Sequence, residues 1–329
     1  MHRIQYSSGD IVADRRAAYA VALAAKRAFP EAAEVMAQAL ELAPWWAAGW
    51  DLLGQYRKQA GDVAGAISAW TELLAHDNEG VFGARLKLAA HGVGGDRSPA
   101  PDYVAALFDD YAPRFETSLV EGLGYRMPDE LAAALISVLA SRPARPVRRA
   151  IDLGCGTGLM GERLRPLVDW LEGVDLSVGM LTKAKQKGIY DRLERAELVA
   201  FLEAETAGCD LIVAADVFNY VGDLAPALIA ARRVLAPSGL LAFTLETHPG
   251  EEPVVLTENL RFQHSGRHAI ELCRSIGFHD LVATETVIRT ERGKPVGGLI
   301  VVARAGLAVI EGTPDGGPAN DNSPVNQAA

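Results

Sequence analysis

Two hydrophobic rhythms divide this chain. Before about Gly95, apolar residues recur at helical spacing in alanine-rich, tryptophan-bearing stretches. After about Ala150, short apolar runs alternate with helical segments and glycine turns. Ile151–Leu153 predicts a buried strand, Gly173–Asp175 a second and Arg195–Leu198 a short third. The run from Asp210 to Phe218 is apolar almost throughout, which suits a strand buried on both faces of a parallel sheet. Ala225–Leu235 predicts a helix stopped by Pro237-Ser238-Gly239, and Leu240–Leu245 a fifth strand. Ser265–Ile276 predicts a helix behind a serine cap. Phe278–Arg289 and Val296–Arg304 then read as two strands joined by Glu291-Arg292-Gly293-Lys294. Strands alternating with helices predict a doubly wound α/β sheet that binds its ligand at the carboxyl ends of the strands.

The N-terminal part carries a period of 34 residues: Ala20 pairs with Gly54, Ala32 with Ala66, Met36 with Trp70 and Pro44 with Asn78. Small residues at Gly54 and Ala66 allow close helix packing, with Trp50 and Trp70 beside them. This resembles a tetratricopeptide (TPR) repeat. It divides the chain into a TPR-like helical domain over 1–95, a linker over 96–101, a second domain over 102–306 and a disordered tail over 307–329. Two repeats are fewer than the usual three, so the module is expected to lean on the second domain or another chain. Either a peptide-binding groove or an inert helical cap fits it. Trp45 and Trp46 read as packing residues, and Val81–Ala90 as a closing helix.

The most informative stretch is Ile151-Asp152-Leu153-Gly154-Cys155-Gly156-Thr157-Gly158, followed by Gly173-Val174-Asp175-Leu176-Ser177. Alternate glycines let the backbone approach a ligand closely, and a carboxylate closing the next strand can accept hydrogen bonds from two ribose hydroxyls. A dinucleotide dehydrogenase places that acid roughly 20 residues beyond its glycine loop. Here Asp175 lies 14 residues beyond Gly161 and 17 beyond Gly158. An acid before a Gly-x-Gly-x-Gly loop resembles the first motif of class I S-adenosylmethionine (AdoMet)-dependent methyltransferases.

The resemblance implies a seven-stranded, mostly parallel sheet with one antiparallel strand, and AdoMet as cofactor. It implies that Asp152, Gly154, Gly156 and Gly158 belong to the methionine side of the pocket and that Asp175, with Leu176, binds ribose. Glu197 and Leu198 would receive adenine. Asp216 to Tyr220 would floor the transfer site. The segment Tyr103 to Glu116, with Phe108-Asp109-Asp110-Tyr111-Ala112 at its centre, resembles helices that fold over AdoMet in small-molecule methyltransferases. It makes Tyr111 a cofactor contact and 102–140 a set of lid helices. Through Tyr125-Arg126 the chain resembles a predicted bacterial methyltransferase family with N-terminal TPR repeats.

Candidates for handling the acceptor are Asp216, Asn219, Tyr220, Glu246, His248 and His264. His248 follows the fifth strand and could act as a base near neutral pH, or simply face solvent. His264 and His268 lack the acidic residue and cysteines of a metal site, so no metal is expected. Strand four is followed by neither Asn/Asp-Pro-Pro-aromatic nor Pro-Cys, and formal net charge is −10 over 329 residues. Both lower nucleic acid as a substrate. The run Arg142, Arg145, Arg148, Arg149 reads as a solvated entry to the first strand. A small molecule is the expected acceptor. A protein recruited through the repeats is the alternative, and an adaptor with a non-catalytic nucleotide-binding domain a third reading. Three unpaired cysteines, no apolar run of membrane-spanning length and no secretory core at the N-terminus predict a cytoplasmic protein.

Overall fold

The computed structural model describes residues 7–95, 97–118, 124–141, 146–291 and 293–306. Of the sequence expectations, the tail over 307–329, Arg142, Arg145 and part of the 102–140 segment lie outside these residues.

Five helices build the N-terminal part: α1 (Ile11–Ala25), α2 (Phe29–Leu42), α3 (Ala47–Gln59), α4 (Val63–Leu74) and α5 (Ala84–Ala89). Asp10 caps α1 by accepting from the N–H groups of Val12 and Ala13, and Asp62 caps α4 through Gly65. Each helix packs on the next. Alanines at 13, 17, 20, 32 and 39 are fully buried, so the helices approach closely. A Cβ at Gly54 would run into the Trp70 indole, which explains the small residue at that point of the repeat. Ala25 and Gln59, the ends of α1 and α3, stand 34 residues apart, as do Phe29 and Val63, the starts of α2 and α4. Trp46 is buried, whereas Trp45 is exposed and donates its indole N–H to the Ser8 carbonyl.

The second part is built on β1 (Val147–Leu153), β2 (Val168–Asp175), β3 (Arg192–Arg195), β4 (Cys209–Ala214), β5 (Leu235–Glu246), β8 (Phe278–Glu291) and β9 (Lys294–Ala305). Their order is β3-β2-β1-β4-β5-β9-β8. All pairings are parallel except those of β9, which runs antiparallel to β5 and β8. Side chains alternate between two apolar layers. Ile151, Leu153, Ile212 and Ala214 join one, and Ala150, Leu211 and Val213 the other. Helices α10 (Leu198–Ala204), α11 (Ala225–Val234) and α12 (Gly266–Ser275) contribute to the first layer, and α7 (Met127–Ala140) and α8 (Leu159–Leu164) to the second. The doubly wound, mostly parallel sheet with one antiparallel strand is therefore as expected. Its strand order reverses at β1, which opens a crevice at the carboxyl ends of β1 and β4.

Three features depart from the sequence reading. The third strand ends at Arg195, and Glu197 and Leu198 already begin α10. Helix α7 is not part of a lid: Leu131 and Leu135 are fully buried under the sheet. A small hairpin, β6 (Val254–Leu256) and β7 (Phe262–His264), was not foreseen. Its Phe262 packs with Leu86 of α5 and with Tyr103 of α6 (Pro101–Tyr111), so hairpin, helical module and α6 share one apolar cluster. Lys58 of α3 also reaches the carbonyl of Glu258 at the hairpin tip, at 3.2 Å.

Candidate functional site

The glycine loop leaves β1 at Leu153. Gly154 sits at φ +60°, and a Cβ there would lie 2.5 Å from Val217 Cγ2, so this glycine lets the turn after β1 pass the turn after β4. Gly156, at φ +53°, has open space where its Cβ would project, and its N–H donates to Asp175 Oδ2 at 2.9 Å. Gly158 faces the Tyr190 ring instead. That ring lies where side chains at Gly161 and Gly173 would have been, and its hydroxyl donates to Asp152 Oδ2 at 2.7 Å. Burial, with the nearby Asp175 charge added, pushes the Asp152 carboxyl up to about 7, although the Tyr190 hydrogen bond pulls the other way.

Asp175 ends β2. Besides Gly156, it accepts from the Ser177 N–H at 2.8 Å through Oδ1. Burial raises its pKa, and these backbone bonds counter the rise. Ser177 caps α9 (Val178–Lys187) through the Met180 N–H. Helix α6 is fastened to the same point: Asp109 Oδ1 accepts from Ser177 Oγ at 2.5 Å and from the Gly179 N–H at 2.8 Å. The fastening lays Phe108 and Tyr111 along the cleft. Phe108 meets Phe115 at 6.4 Å and Tyr220 at 5.1 Å, and Tyr111 meets Phe115 at 5.3 Å, between ring centroids.

Glu197 and Leu198 also line the cleft. Glu197 commits Oε2 to capping α10 through the Val199 and Ala200 N–H groups, both at 2.9 Å.

Beyond β4, Asp216 adopts φ +57°, an uncommon conformation for a residue with a Cβ. It is held by Thr244: the Asp216 N–H donates to Thr244 Oγ1 at 2.8 Å, and that hydroxyl donates to Asp216 Oδ1 at 3.0 Å. Tyr125 also hydrogen-bonds the carboxylate. Burial raises the Asp216 pKa, and these two bonds, with the Arg261 charge, oppose it. The Tyr125 and Tyr220 phenols are likewise pushed up by burial. Arg261 lies over the Tyr220 ring, 5.4 Å from its centroid. Arg289 is buried and donates to Glu246 Oε1 at 2.7 Å, which also receives Asn219 Nδ2 at 3.2 Å.

One cleft thus brings together Gly154, Gly156, Asp175, Leu176, Glu197, Leu198, Asp216, Tyr220 and Tyr111 of the sequence candidates. Asp152 and Gly158 stand behind its wall against Tyr190. His248 lies instead in a separate surface groove with Ser265 and His268. His264 is buried, with Nε2 3.1 Å from the Phe218 carbonyl, and burial lowers its pKa. Neither histidine lines the cleft. Arg149 turns to Glu172 and Glu205 at 2.9 and 2.7 Å, so it is an internal ion-pair partner rather than solvated.

Sequence reasoning passed over Asp109, Arg261, Arg289 and Tyr190 as functional side chains, and saw Tyr125 only as part of a segment. Asp109 could have been found in the segment around Phe108 and Tyr111. The arginines sit on a hairpin and a strand whose approach to the cleft depends on tertiary packing, and no local pattern marks them.

Residues 151–241 match a family model described as a methyltransferase domain. Among curated proteins, the chain is 31% identical over 141 residues to the malonyl-[acyl-carrier protein] O-methyltransferase of Enterobacter lignolyticus (strain SCF1), covering 43% of this chain and 52% of that protein. It is 25% identical over 147 residues to the ubiquinone biosynthesis O-methyltransferase of Hahella chejuensis (strain KCTC 2396), covering 43% and 60%. The chain thus spans little more than half the length of these two relatives. A solved DhpI-SAH complex superposes with a TM-score of 0.47 at 19% identity, over 63% of this chain and 97% of that one. No described helix is long and apolar enough to cross a membrane.

Proposed function

We propose that this protein is an AdoMet-dependent methyltransferase that methylates an oxygen of a small-molecule acceptor. The observation that carries the reading is the joint between Asp175 and the glycine loop, made by the Gly156 N–H, at the mouth of an open cleft. The match of residues 151–241 to a methyltransferase domain supports it, as do the names of the two O-methyltransferase relatives.

The residues fit the cofactor. Gly156 leaves unfilled the space a side chain would take, and Gly154 and Gly156 would bound the methionine end. Asp175 accepts backbone N–H groups from Gly156, Ser177 and Leu176, and a carboxylate's roughly four acceptor positions leave room for a ribose hydroxyl. Glu197 Oε2 is occupied by the α10 cap, leaving Oε1 for the adenine amino group, with Leu198 and Met180 as apolar cover. When bound, the cofactor supplies a methyl group already activated by its sulfonium. The chain's part is to align the acceptor and exclude water. Phe108, Tyr111 and Phe115 provide the cover, and Asp216, held in its uncommon conformation, provides a fixed floor.

The N-terminal helices are read as two TPR-like units. The 34-residue recurrence of helix ends supports this, and Phe262 ties the units to the acceptor side of the cleft.

Titration calorimetry of the full chain with AdoMet and S-adenosylhomocysteine tests the function. Saturable one-to-one binding of both is expected. Binding of neither would overturn the reading.

A further inference from the structure

The end of the cleft beyond Asp216 contains two guanidinium groups in unequal states. Arg289 is committed, with Nη1 2.7 Å from Glu246 Oε1 and Nη2 3.3 Å from Glu291 Oε2. Arg261 is held more loosely: it pairs with Glu246 at 3.5 Å and hydrogen-bonds Tyr220. Its Nε is out of solvent and has no hydrogen-bond acceptor. The nearest carboxylate oxygen, Glu246 Oε1, lies 3.5 Å away and already receives Arg289 and Asn219. A guanidinium offers five donors in a planar fork, and leaving buried donors unmet is costly. That fork matches the two oxygens of a carboxylate.

Arg261 is also set in place from outside the cleft. It follows Leu260, at φ +60°, in a tip closed by Thr257, whose N–H and hydroxyl both donate to the Arg261 carbonyl at 2.9 Å. The next residue, Phe262, anchors the hairpin between α5 and α6.

Among the described residues lining the cleft there is no histidine, lysine or cysteine. Asp216 already accepts from Thr244 and Tyr125, and the phenols of Tyr125 and Tyr220 are held protonated by burial. An alcohol or phenol acceptor would need a base to become nucleophilic, whereas a carboxylic acid is already ionised at neutral pH. The surrounding wall is aromatic, from Phe108, Tyr111, Phe115, Tyr125 and Tyr220, and suits an apolar body attached to the acid.

We propose that the acceptor is a carboxylic acid with an apolar body, that Arg261 holds its carboxylate, and that the product is a methyl ester. This rests on the methyltransferase reading above. A lone pair on a carboxylate oxygen forms the new C–O bond to the methyl carbon. The C–S bond breaks with its electron pair going to sulfur, leaving an ester and a neutral thioether, and no proton moves.

The test incubates the full chain with AdoMet labelled in its methyl group and the anion-exchange-retained small-molecule fraction of a bacterial extract. Products are then treated with mild alkali. Carboxyl methyl esters release labelled methanol, whereas methyl ethers, methylamines, thioethers and phosphate methyl esters keep the label. Alkali-released methanol is expected to account for most of the label. Arg261→Gln should reduce that release on the order of 50-fold, as loss of a charge-assisted fork implies, with AdoMet affinity by calorimetry unchanged within about twofold. Arg261→Lys should recover part of it. Alkali-stable label, ester formation indifferent to Arg261→Gln, or bound AdoMet with no labelled acid would overturn the proposal and leave the methyltransferase reading standing. Absence of AdoMet binding would overturn both.

Discussion

Asp109 accepts the Ser177 hydroxyl at 2.5 Å, so helix α6 is pinned two residues beyond the carboxylate that closes β2. The same Asp109 oxygen takes the Gly179 N–H, which lies in the first turn of α9. Helix α6 and the Asp175 end of the cleft are therefore one hydrogen-bonded unit. Asp109→Ala should weaken AdoMet binding about tenfold by releasing α6, in keeping with a charge-assisted contact worth about 1.5 kcal/mol. Asp109→Asn, which keeps an acceptor oxygen, should lose less. Calorimetry on both variants checks this, and equal affinity in Asp109→Ala and wild type would remove α6 from the binding unit.

Asp175→Ala should cost AdoMet binding on the order of 2 kcal/mol, since it removes the ribose acceptors and frees the Gly156 N–H. Titration with S-adenosylhomocysteine should show the same loss, because the two ligands share their ribose. A loss confined to AdoMet would point away from the ribose assignment.

Gly154→Ala should destabilise the fold by about 2–3 kcal/mol, combining a positive-φ penalty with overpacking. The added Cβ would meet Val217 Cγ2 at 2.5 Å. Shortening Val217 to Ala in the same chain should recover the packing part and leave the backbone part. Urea unfolding of the two single variants and the double variant reads the coupling. Strict additivity would show that Val217 is not the obstacle.

Burial raises the Asp152 carboxyl from 3.8 to about 7, so the folded state holds its proton more tightly than the unfolded chain does. Stability linked to this group is complete below pH 3.8 and falls as pH rises, until about pH 7. At full ionisation the penalty has an upper bound of about 4 kcal/mol. Asp152→Asn, which can still accept from Tyr190, should therefore stabilise the cofactor-free protein at pH 8 by more than it does at pH 5. Denaturant midpoints at the two pH values check the sign. A larger gain at pH 5 would refute it.

The sheet and the glycine turn were legible because they rest on local rules. Apolar runs such as 210–218 state a buried strand, and the glycines of 154–158 state a tight turn, although Gly154 and Gly158 make room for Val217 and Tyr190 and only Gly156 opens onto free space. Asp175 was legible because it closes a strand immediately downstream. Glu197 was found, yet its capping of α10 was not, since a strand end and a helix cap use the same residue types. The two histidines fall outside the cleft for a different reason. His248 and His264 drew notice by their titration range, but the turn after β5 carries one into another groove and hairpin packing seals the other against Phe218. Arg261 and Arg289 reach the cleft only through the β6–β7 hairpin and the strand pair at the sheet edge, which are products of long-range packing.

The shared seat of Phe262, Leu86 and Tyr103 bears on how this chain can be divided. A truncation that discards the first 95 residues would bare a buried phenylalanine on the very hairpin that carries Arg261. The shortened chain would then be expected to stick to itself, and the Arg261 end of the cleft would be disturbed before the Asp175 end.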